Sequence, residues 1–307
     1  MKSETSTPAI KFQGLIKSYD DVPALRGIDL QVHSGEIFGF LGPNGAGKTT
    51  AIRCMLDLIR PTGGSVRVLS IDPQKDPVSV RRRVGYLPGE LSFDDNMTAR
   101  GVLRLFDSLR DGRTDWKYVD RLCRRFELDT AKSIKNLSKG NKQKVGVIQA
   151  FMHKPDLLLL DEPTAGLDPL MQQEVLKLAG EARDEGATVF FSSHILSEVQ
   201  AVADRISVVR DGTIVETADV RELLAHPLRR VTVVFAEPCP PRAFDALPGV
   251  RVLESNANLC YRLQVEGDMD LLVKAIARYH VNEVQSEQSS LEDVFLAFYS
   301  QEQRMPD

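Results

Sequence analysis

The segment Gly42-Pro-Asn-Gly-Ala-Gly-Lys-Thr49 constrains the fold of this chain more than any other part of the sequence. It matches the pattern G-x-x-x-x-G-K-[ST], and it lies between an apolar run, Glu36–Leu41, and a stretch of helical spacing that starts at Lys48. Glycines at these spacings let backbone N–H groups turn inward around phosphate oxygens, beside the positive end of the helix. The segment therefore predicts a strand, a phosphate-binding loop and a helix in direct succession.

Each residue type in this loop has a chemical reason to be there. The Lys48 ammonium can reach the β- and γ-phosphates of a nucleotide, and the Thr49 hydroxyl can ligate Mg²⁺. A glycine-rich turn with an incidental lysine would not need a strand before it and a helix after it. The predicted nucleotide-binding residues are Gly42, Pro43, Asn44, Gly45, Ala46, Gly47, Lys48, Thr49 and Thr50.

Three further candidates follow apolar runs that are predicted to be strands of the same sheet. Asp161 and Glu162 come directly after four leucines, and His194 comes shortly after the run Thr188–Phe191. Because the carboxyl ends of parallel strands face the ligand crevice, Asp161 is placed to hold Mg²⁺ through water, and Glu162 to polarise an attacking water. His194 is placed to donate to a γ-phosphate. The catalytic candidates are therefore Glu162 and His194, and the metal candidates are Thr49 and Asp161.

Composition narrows the class of protein further. The chain has 307 residues, enough for two domains, and 27% of its residues are charged, close to the average for soluble globular proteins. A formal net charge of −4 disfavours a nucleic-acid-binding protein, so no nucleic-acid partner is expected. Four dispersed cysteines without a C-x-x-C pair argue against a disulfide framework or a zinc ribbon. No run approaches the roughly 18 apolar residues that cross a bilayer, so membrane spans are expected in another chain.

Buried strands alternate with helices in the first two thirds of the chain, which is typical of an α/β fold around a mostly parallel sheet. The predicted strands are Ala9–Leu15, Ile28–Val32, Glu36–Leu41, Val84–Leu87, Leu157–Leu160, Thr188–Phe191, Ile206–Arg210 and Thr213–Glu216. The predicted helices are Lys48–Ile59, Asn141–His153, Leu170–Glu185 and Leu196–Ala203, with a helical pattern over Thr98–Leu128. Tyr19–Gly27 and Pro61–Gly64 are predicted to be turns, and Asp211-Gly212 is a hairpin signal.

A change of character around His226-Pro227 predicts two domains. Residues 1–8 are expected to be a disordered tail, 9–222 the first domain, 223–230 a linker and 231–307 a small α+β domain. The last range has the element order β-α-β-β-α-β, which is typical of a ferredoxin-like fold. Its final helix is predicted over Ser290–Tyr299. The apolar side chains of that helix either pack on their own sheet or form a dimer contact, and they are Leu291, Val294, Phe295 and Phe298.

Several motifs together resemble a known family. Leu137-Ser-Lys-Gly-Asn-Lys-Gln-Lys144 is similar to the LSGGQ signature of ATP-binding cassette (ABC) proteins, and it lies upstream of the acidic pair as in that family. Ala165-Gly-Leu-Asp168 resembles the D-loop, His194 the switch histidine, and Tyr19 the aromatic residue that stacks on adenine. These motifs cover about residues 10–221. The chain is most similar to ATP-binding subunits of ABC-2 type exporters, the branch that includes drug and antibiotic resistance ATPases.

The resemblance implies a P-loop NTPase cassette, with a mostly parallel core sheet, an antiparallel β subdomain and a helical subdomain at about residues 88–150. It implies that two cassettes, identical or related, close head to tail around two ATP molecules with Mg²⁺. The residues that would act across that interface are Ser138, Lys139, Gly140 and Asn141, with Asp168 in the D-loop. The implied function is ATP hydrolysis that drives an integral membrane permease, in an exporter, from the cytoplasmic face of the membrane.

The chain departs from the family pattern at two places. Its signature reads LSKGN, in which Lys139 replaces a glycine and Asn141 a glutamine. Lys139 either adds positive charge near the phosphate or points to solvent. The family also has a glutamine soon after the strand Val84–Leu87, where this chain has Gly89. Gly89 has no side chain to ligate Mg²⁺ or to signal to a membrane partner, so either Glu90 or water takes over part of that role.

Two other functions stay open on the sequence alone. A soluble cassette ATPase that acts on translation or DNA typically has two cassettes or a long coiled-coil insertion. This chain has one cassette, with about 70 residues and no sustained heptads between Leu87 and Leu157. A nucleotide sensor that does not hydrolyse would lack catalytic groups, whereas Glu162 and His194 are both present. Hydrolysis coupled to transport is the favoured interpretation.

Overall fold

The computed structural model describes residues 7–225, 228–240, 242–245 and 247–288. Its strands are β1 Ile10–Tyr19, β2 Val22–Val32, β3 Ile37–Leu41, β4 Gly63–Val68, β5 Val84–Leu87, β6 Leu157–Asp161, β7 Thr188–Ser193, β8 Arg205–Arg210, β9 Thr213–Asp219, β10 Leu228–Phe235, β11 Val250–Asn256, β12 Cys260–Glu266 and β13 Val281–Gln288. Its helices are α1 Lys48–Met55, α2 Pro77–Arg83, α3 Ala99–Ser108, α4 Trp116–Arg125, α5 Lys139–Phe151, α6 Pro169–Asp184, α7 Leu196–Val202, α8 Val220–Ala225, α9 Arg242–Asp245 and α10 Asp270–Ile276, with a 3₁₀ turn at Ile134–Asn136. The chain divides into two compact units between Asp219 and Val220.

The core sheet of the first unit has six strands within residues 7–219, in the order β5-β6-β7-β3-β8-β9. The first five are parallel, and β9 returns antiparallel through the Asp211-Gly212 hairpin. Every residue of β6 and β7 is buried, as expected for parallel strands that are covered on both faces. The chain reaches Gly42, Glu162 and His194 just beyond the carboxyl ends of β3, β6 and β7. The predicted α/β fold is confirmed, and three predicted site residues meet at one edge of the sheet.

A second, antiparallel sheet has the strand order β2-β1-β4. It shares one apolar core with α1 and the core sheet, in which Phe12, Leu25, Phe40 and Leu159 are each at most 1% exposed. This sheet is the antiparallel subdomain that the family resemblance implies. The shared core fixes α1, and with it the phosphate loop, between the two sheets.

The prediction that Tyr19–Gly27 is a turn was wrong, because the turn is confined to residues 20 and 21 and β2 starts at Val22. β2 lies at the edge of its sheet, where Pro23 is tolerated. Register shifts along β1 accommodate the irregular pairing. Turn-forming residues therefore misled the prediction in an edge strand, where they are compatible with sheet structure.

The segment Pro61–Gly64 was also predicted to be only a turn, whereas β4 begins at Gly63. Gly64 has φ +71°, and a Cβ at this position would collide with the Gly14 carbonyl oxygen. Glycine is required there because two backbones approach closely, and it does not end the strand. α1 is shorter than predicted, ending at Met55, and α2 was not predicted.

The helical pattern over Thr98–Leu128 corresponds to two helices, α3 and α4, separated by a loop. Asp107 is 8% exposed and fixes that loop, since its carboxylate accepts hydrogen bonds from Thr114 N at 3.2 Å and Trp116 Nε1 at 2.8 Å. Both helices contact α5. Together α3, α4 and α5 form the helical subdomain that was expected near residues 88–150.

The second unit forms a four-stranded antiparallel sheet in the order β11-β12-β10-β13, counted over the residues described from 220 onwards. α9 follows β10 and α10 follows β12, so the element order β-α-β-β-α-β is the ferredoxin-like one that the sequence predicts. Alternate residues of β10 and β12, including Val233 and Leu263, are fully buried in its core with Tyr261. The unit therefore has a hydrophobic core of its own.

The segment 223–230, expected to be a linker, contains the end of α8 and the first residues of β10. The backbone of Leu228–Arg230 already pairs with β12, so the sheet begins sooner after His226-Pro227 than the sequence indicates. The predicted helix Ser290–Tyr299 lies outside the described residues, as do residues 1–6 of the predicted tail. No helix in the described ranges combines the length and apolar composition of a bilayer-crossing segment.

Gly39 in β3 lets α7 lie directly against the central strand. A Cβ at this position would collide with Val199 of α7 and would lie 3.0 Å from Ile206 Cγ2. We expect Gly39→Ala to lower the free energy of unfolding by about 1–3 kcal/mol, because overpacking a filled core displaces side chains and backbone. Gly180 in α6 is the control, since a Cβ there has no neighbour within 4 Å. Gly180→Ala should stabilise the protein by about 0.5–1 kcal/mol. Urea unfolding measures both, and an unchanged midpoint for Gly39→Ala would contradict this packing.

Candidate active site

The loop between β3 and α1 has the backbone conformation that a phosphate-binding loop needs. Gly45 and Gly47 have φ of +84° and +103°, in the left-handed region that favours glycine. A Cβ at Gly47 would lie 2.6 Å from the Ala24 carbonyl oxygen. The loop borders a cavity of about 190 Å³, whose walls are Ala24, Pro43, Asn44, Gly45, Gly47, Lys48, Thr49, Thr50 and Glu162. Most of the predicted nucleotide-binding residues therefore line one cavity at the N-terminus of α1.

Two predicted loop residues support the cavity without lining it. Gly42 N donates to Ser193 O at 3.2 Å, which ties the start of the loop to the end of β7. A Cβ at Gly42 would lie 3.2 Å from Ala46 Cβ, and Ala46 itself is 3% exposed. These two small residues therefore let the loop close over the sheet.

The Lys48 side chain is held among three oxygen atoms. Its Nζ donates to Gly42 O at 2.7 Å and Pro43 O at 3.2 Å, and it lies 3.1 Å from Glu162 Oε1. The two carbonyls keep the ammonium inside the loop, and Lys48 is only 6% exposed. Phosphate oxygens entering the cavity would compete with Glu162 for this ammonium, so the two residues are placed to act on the same phosphate group.

Asp161 is fully buried at the end of β6, and each of its carboxylate oxygens accepts a hydroxyl hydrogen. Thr49 Oγ1 donates to Oδ2 at 2.7 Å, and Ser192 Oγ donates to Oδ1 at 2.6 Å. A carboxylate beside a hydroxyl is the hard oxygen donor set that Mg²⁺ prefers. No group of three His, Cys, Asp or Glu residues within the described chain could hold a metal by itself. Thr49 and Asp161 therefore suit a Mg²⁺ ion that takes its other ligands from phosphate and water.

Glu162 lies on a strained turn that aims its carboxylate at the cavity. Its φ is +50°, and its N–H donates to Ser192 O at 3.1 Å. His194 Nδ1 lies 2.7 Å from Glu162 Oε2, and since a carboxylate only accepts hydrogen bonds, Nδ1 carries the proton. The structure thus brings Lys48, Glu162 and His194 together as the sequence predicts.

The signature and the D-loop lie side by side at the starts of α5 and α6. Ser138 caps α5 by accepting from Asn141 N at 3.3 Å, and Asp168 caps α6 by accepting from the N–H groups of residues 170 and 171 at 3.1 Å. A Cβ at Gly140 would lie 2.8 Å from Gly166 O, so the two loops touch backbone to backbone. Lys139 is exposed, with its alkyl stem near Gly166. None of the contacts described for residues 138–141 reaches the phosphate loop.

Tyr19 ends β1 on the antiparallel sheet. Its ring is 43% exposed, and Lys17 Nζ lies 5.2 Å from the ring centroid. No contact described for Tyr19 reaches the phosphate loop. An exposed aromatic face is available for stacking. Its predicted role with adenine stays a prediction.

Two residues that contact the acidic pair were missed by sequence reasoning. Ser192 is fully buried and donates to Asp161, as described above. Gln143 of α5 is 5% exposed, and its Nε2 donates to Pro163 O at 3.1 Å and lies 3.5 Å from Glu162 O. The signal for Ser192 was a hydroxyl residue at the end of an otherwise apolar strand. For Gln143 it was a polar residue on the buried face of a helix.

Gly89 lies where the family has its glutamine, and the structure places it beside the metal candidate. A Cβ at this position would lie 3.4 Å from Asp161 Oδ2 and 3.5 Å from Asp161 Cγ. Any side chain at residue 89 would therefore contact the carboxylate. With glycine, no side chain at residue 89 contacts Asp161.

Comparison with known proteins decides the family. The ABC transporter family model matches residues 25–165. The bacitracin transport ATP-binding protein BcrA of Bacillus licheniformis is 37% identical over 210 residues, which cover 67% of this chain and 68% of that protein. The daunorubicin/doxorubicin resistance ATP-binding protein DrrA of Streptomyces peucetius is 32% identical over 307 residues, which cover 95% of this chain and 92% of that protein. The chain belongs to the ABC transporter family.

Within that family the chain is an ATP-binding subunit, and it is an ATPase. The likeness extends to solved structures. The ATP-binding cassette MJ0796, whose structure is a dimer in a post-hydrolysis state with ADP and Pi, aligns with a TM-score of 0.64 at 23% identity. The alignment covers 69% of this chain and 99% of that one, which shows that the two share the cassette fold.

The position of Gly89 beside Asp161 leads to a prediction for Gly89→Gln. We expect ATP affinity to stay within about twofold, because residue 89 does not line the phosphate cavity and a Cβ there makes only van der Waals contact. Gly47→Ala is the matched control, since its Cβ would lie 2.6 Å from the Ala24 carbonyl at a positive φ, and it should abolish binding. Fluorescent-nucleotide titration measures both affinities. A large loss of affinity in Gly89→Gln would show that this segment packs differently.

Proposed function

We propose that this chain hydrolyses ATP with Mg²⁺ in a head-to-tail dimer of two cassettes, and that this reaction drives a separate permease chain in an exporter. The observation that carries the proposal is the split arrangement of the site. Lys48, Asp161, Glu162 and His194 converge at one edge of the sheet, whereas none of the contacts described for the signature residues 138–141 reaches the phosphate loop.

The convergent residues have the positions that phosphoryl transfer to water needs. Lys48 and the loop N–H groups bind the β- and γ-phosphates, and Glu162 accepts a proton from the water that attacks the γ-phosphorus. His194 orients Glu162 through the 2.7 Å contact and, as an imidazolium, can donate its second N–H to the γ-phosphate. Thr49 and Asp161 would hold Mg²⁺, which supplies charge neutralisation at the phosphate oxygens when it is bound.

The dimer follows from what a single chain lacks. The cavity of about 190 Å³ is partly open to solvent, and water in it would weaken every electrostatic contact with the γ-phosphate. Ser138 and the N–H of Gly140 lie at the N-terminus of α5, which is a site of positive potential suited to a γ-phosphate. A second copy or a related chain, docked head to tail, would bring this surface over the ATP. The γ-phosphate then holds the dimer closed, and hydrolysis releases it.

The dimer proposal gives a sharp expectation for Glu162→Gln. This variant should bind ATP normally and lose roughly 100-fold or more in turnover, because the general base is gone. It should then accumulate as an ATP-bound dimer. Size-exclusion chromatography with light scattering, with and without ATP, measures the oligomeric state. Lys48→Ala is the control, since it removes phosphate binding and should stay monomeric with ATP. A Glu162→Gln protein that remains monomeric with saturating ATP would contradict the head-to-tail dimer.

The permease has a suitable docking place beside β5. A largely apolar groove of about 250 Å³ is lined by Leu56, Leu58, Arg81, Val84, Tyr86, Pro88, Leu91, Ser92, Phe93, Phe106, Arg110 and Gln149. Leu58 is 51% exposed there, and such an apolar groove on a soluble surface is typical of an interaction site. Neither Arg81 nor Arg110 has a carboxylate within 4 Å among the described residues. We infer that a cytoplasmic helix of the permease, apolar with a carboxylate, fills this groove.

The groove also has a physical connection to the catalytic edge. Burial, with the nearby negative charge of Asp161, raises the pKa of Tyr86 to about 12. The Tyr86 phenol therefore stays neutral while its ring lines the groove. A chain docked on a permease through this groove would be held peripherally at the cytoplasmic face of the membrane. The similarity to a bacitracin transport protein, BcrA, and to a daunorubicin/doxorubicin resistance protein, DrrA, supports export as the direction of transport.

The partner proposal is tested by purifying tagged protein from native membranes in mild detergent and identifying what co-purifies. We expect a stoichiometric multi-span protein with the wild type and little of it with Leu58→Glu, because a buried unpaired charge opposes docking. Leu271→Glu is the control, at a leucine that is 45% exposed in the second unit. Thermal melting checks that both variants fold. Ribosomes or DNA in place of a membrane protein, or equal recovery with Leu58→Glu, would contradict the proposal.

A further inference from the structure

Ser192 makes two different connections to the acidic pair. Its hydroxyl donates to Asp161 Oδ1 at 2.6 Å, and its carbonyl oxygen accepts from Glu162 N at 3.1 Å. Glu162 N also lies 3.3 Å from the Ser192 hydroxyl oxygen. Asp161 and Ser192 are neighbours across the parallel pairing of β6 and β7, and Ser192 is fully buried. One side chain therefore fixes the metal candidate and contacts the backbone of the general base.

The hydroxyl helps to fix the orientation of the Asp161 carboxylate relative to the phosphate loop. With Oδ1 bound to Ser192, Oδ2 points to Thr49 Oγ1 at 2.7 Å, on the side of the predicted metal. Within the described residues these two hydroxyls make the hydrogen bonds to this carboxylate. Without the Ser192 hydroxyl, the buried Oδ1 would have no hydrogen-bond donor. Rotation of the carboxylate would then break one hydrogen bond fewer than in the wild type.

Because residue 89 is a glycine, the orientation of Asp161 depends more strongly on Ser192. A side chain at this position would contact Asp161 Oδ2 at about 3.4 Å, and glycine supplies none. Orientation of Asp161 therefore depends on the two hydroxyls alone. Thr49 is itself a predicted metal ligand, so Ser192 is the donor whose hydrogen bond does not compete with the metal.

We propose that Ser192 is a positioning residue that sets the Mg²⁺ requirement of nucleotide binding and hydrolysis by orienting Asp161. The inference rests on the proposed metal role of Asp161. Partners that orient a metal ligand typically change metal affinity by about 10–100-fold when they are removed. Ser192 is fully buried and is not among the residues that line the phosphate cavity, so affinity for nucleotide without metal should not depend on it.

The test uses the full-length chain and a fluorescent, non-hydrolysable ATP analogue. Binding is measured in EDTA and then as a function of Mg²⁺ concentration. We expect Ser192→Ala to raise the Mg²⁺ concentration for half-maximal binding by about tenfold, with affinity in EDTA within about twofold of wild type. Ser192→Thr, which keeps the hydroxyl, should restore the wild-type Mg²⁺ dependence. Steady-state ATPase assays should show the same shift in Mg²⁺ half-saturation.

Ser207→Ala is the matched control. Ser207 is also fully buried, and both serines pair with Phe40, one from each neighbouring strand. Its hydroxyl bonds to the Thr217 hydroxyl and not to a carboxylate. An unshifted Mg²⁺ dependence in Ser192→Ala, or an equal shift in Ser207→Ala, would overturn the inference, as would a defect that Ser192→Thr does not reverse.

A further variant, at Asp161, distinguishes the proposed positioning role of Ser192 from the proposed metal role of Asp161. Asp161→Asn should remove most of the Mg²⁺ dependence of analogue binding. If it does and Ser192→Ala does not shift that dependence, only the inference about Ser192 fails. If Asp161→Asn binds with wild-type Mg²⁺ dependence, the proposed metal role of Asp161 fails first.

Discussion

The buried carboxylate of Asp161 is the constraint on which the arrangement of this active site depends. It sits fully buried at the end of β6, between hydroxyls from α1 and from β7. Burying a carboxylate costs free energy unless its oxygens are hydrogen-bonded. The carboxyl ends of β6 and β7 and the start of α1 must therefore meet around Asp161. That requirement fixes the phosphate loop, which precedes Thr49, and the turn that carries Glu162. The proposed metal site, the proposed general base and the phosphate loop are therefore held in place by the same contacts.

The same edge of the sheet brings the predicted catalytic groups into contact with one another. Lys48 contacts Glu162, Glu162 contacts His194, and the loop at Gly42 is tied to the carbonyl of Ser193. These contacts join groups that lie at or follow the carboxyl ends of β3, β6 and β7. A phosphate that entered the cavity would compete with Glu162 for Lys48. The contacts from Lys48 to Glu162 and from Glu162 to His194 therefore offer a physical route from nucleotide binding to the proposed general base.

Most of the fold and much of the site could be predicted from residue patterns. The buried runs before Gly42, Asp161 and His194 identified parallel strands, and the rule that ligands bind at strand ends then brought the catalytic candidates to one edge. The errors occurred where local signals and tertiary pairing disagree. Pro23 and Gly64 have the character of turn residues, but an edge strand accepts the first and a close approach of two backbones requires the second. Ser192 was missed because a single buried serine has no local pattern.

The sequence by itself determined that this chain would bind nucleotide phosphates in an α/β cassette, because the loop glycines, the lysine and the acidic pair have few other physical uses in that order. It also determined the ferredoxin-like order of the second unit. Only the tertiary structure decided that Ser192 donates a hydrogen bond to Asp161, that a Cβ at residue 89 would contact the same carboxylate, and that Gln143 donates to the Pro163 carbonyl. These relations join residues that are 20 to 72 positions apart, and their distances depend on the register between strands and on helix packing. Short-range patterns do not encode such distances.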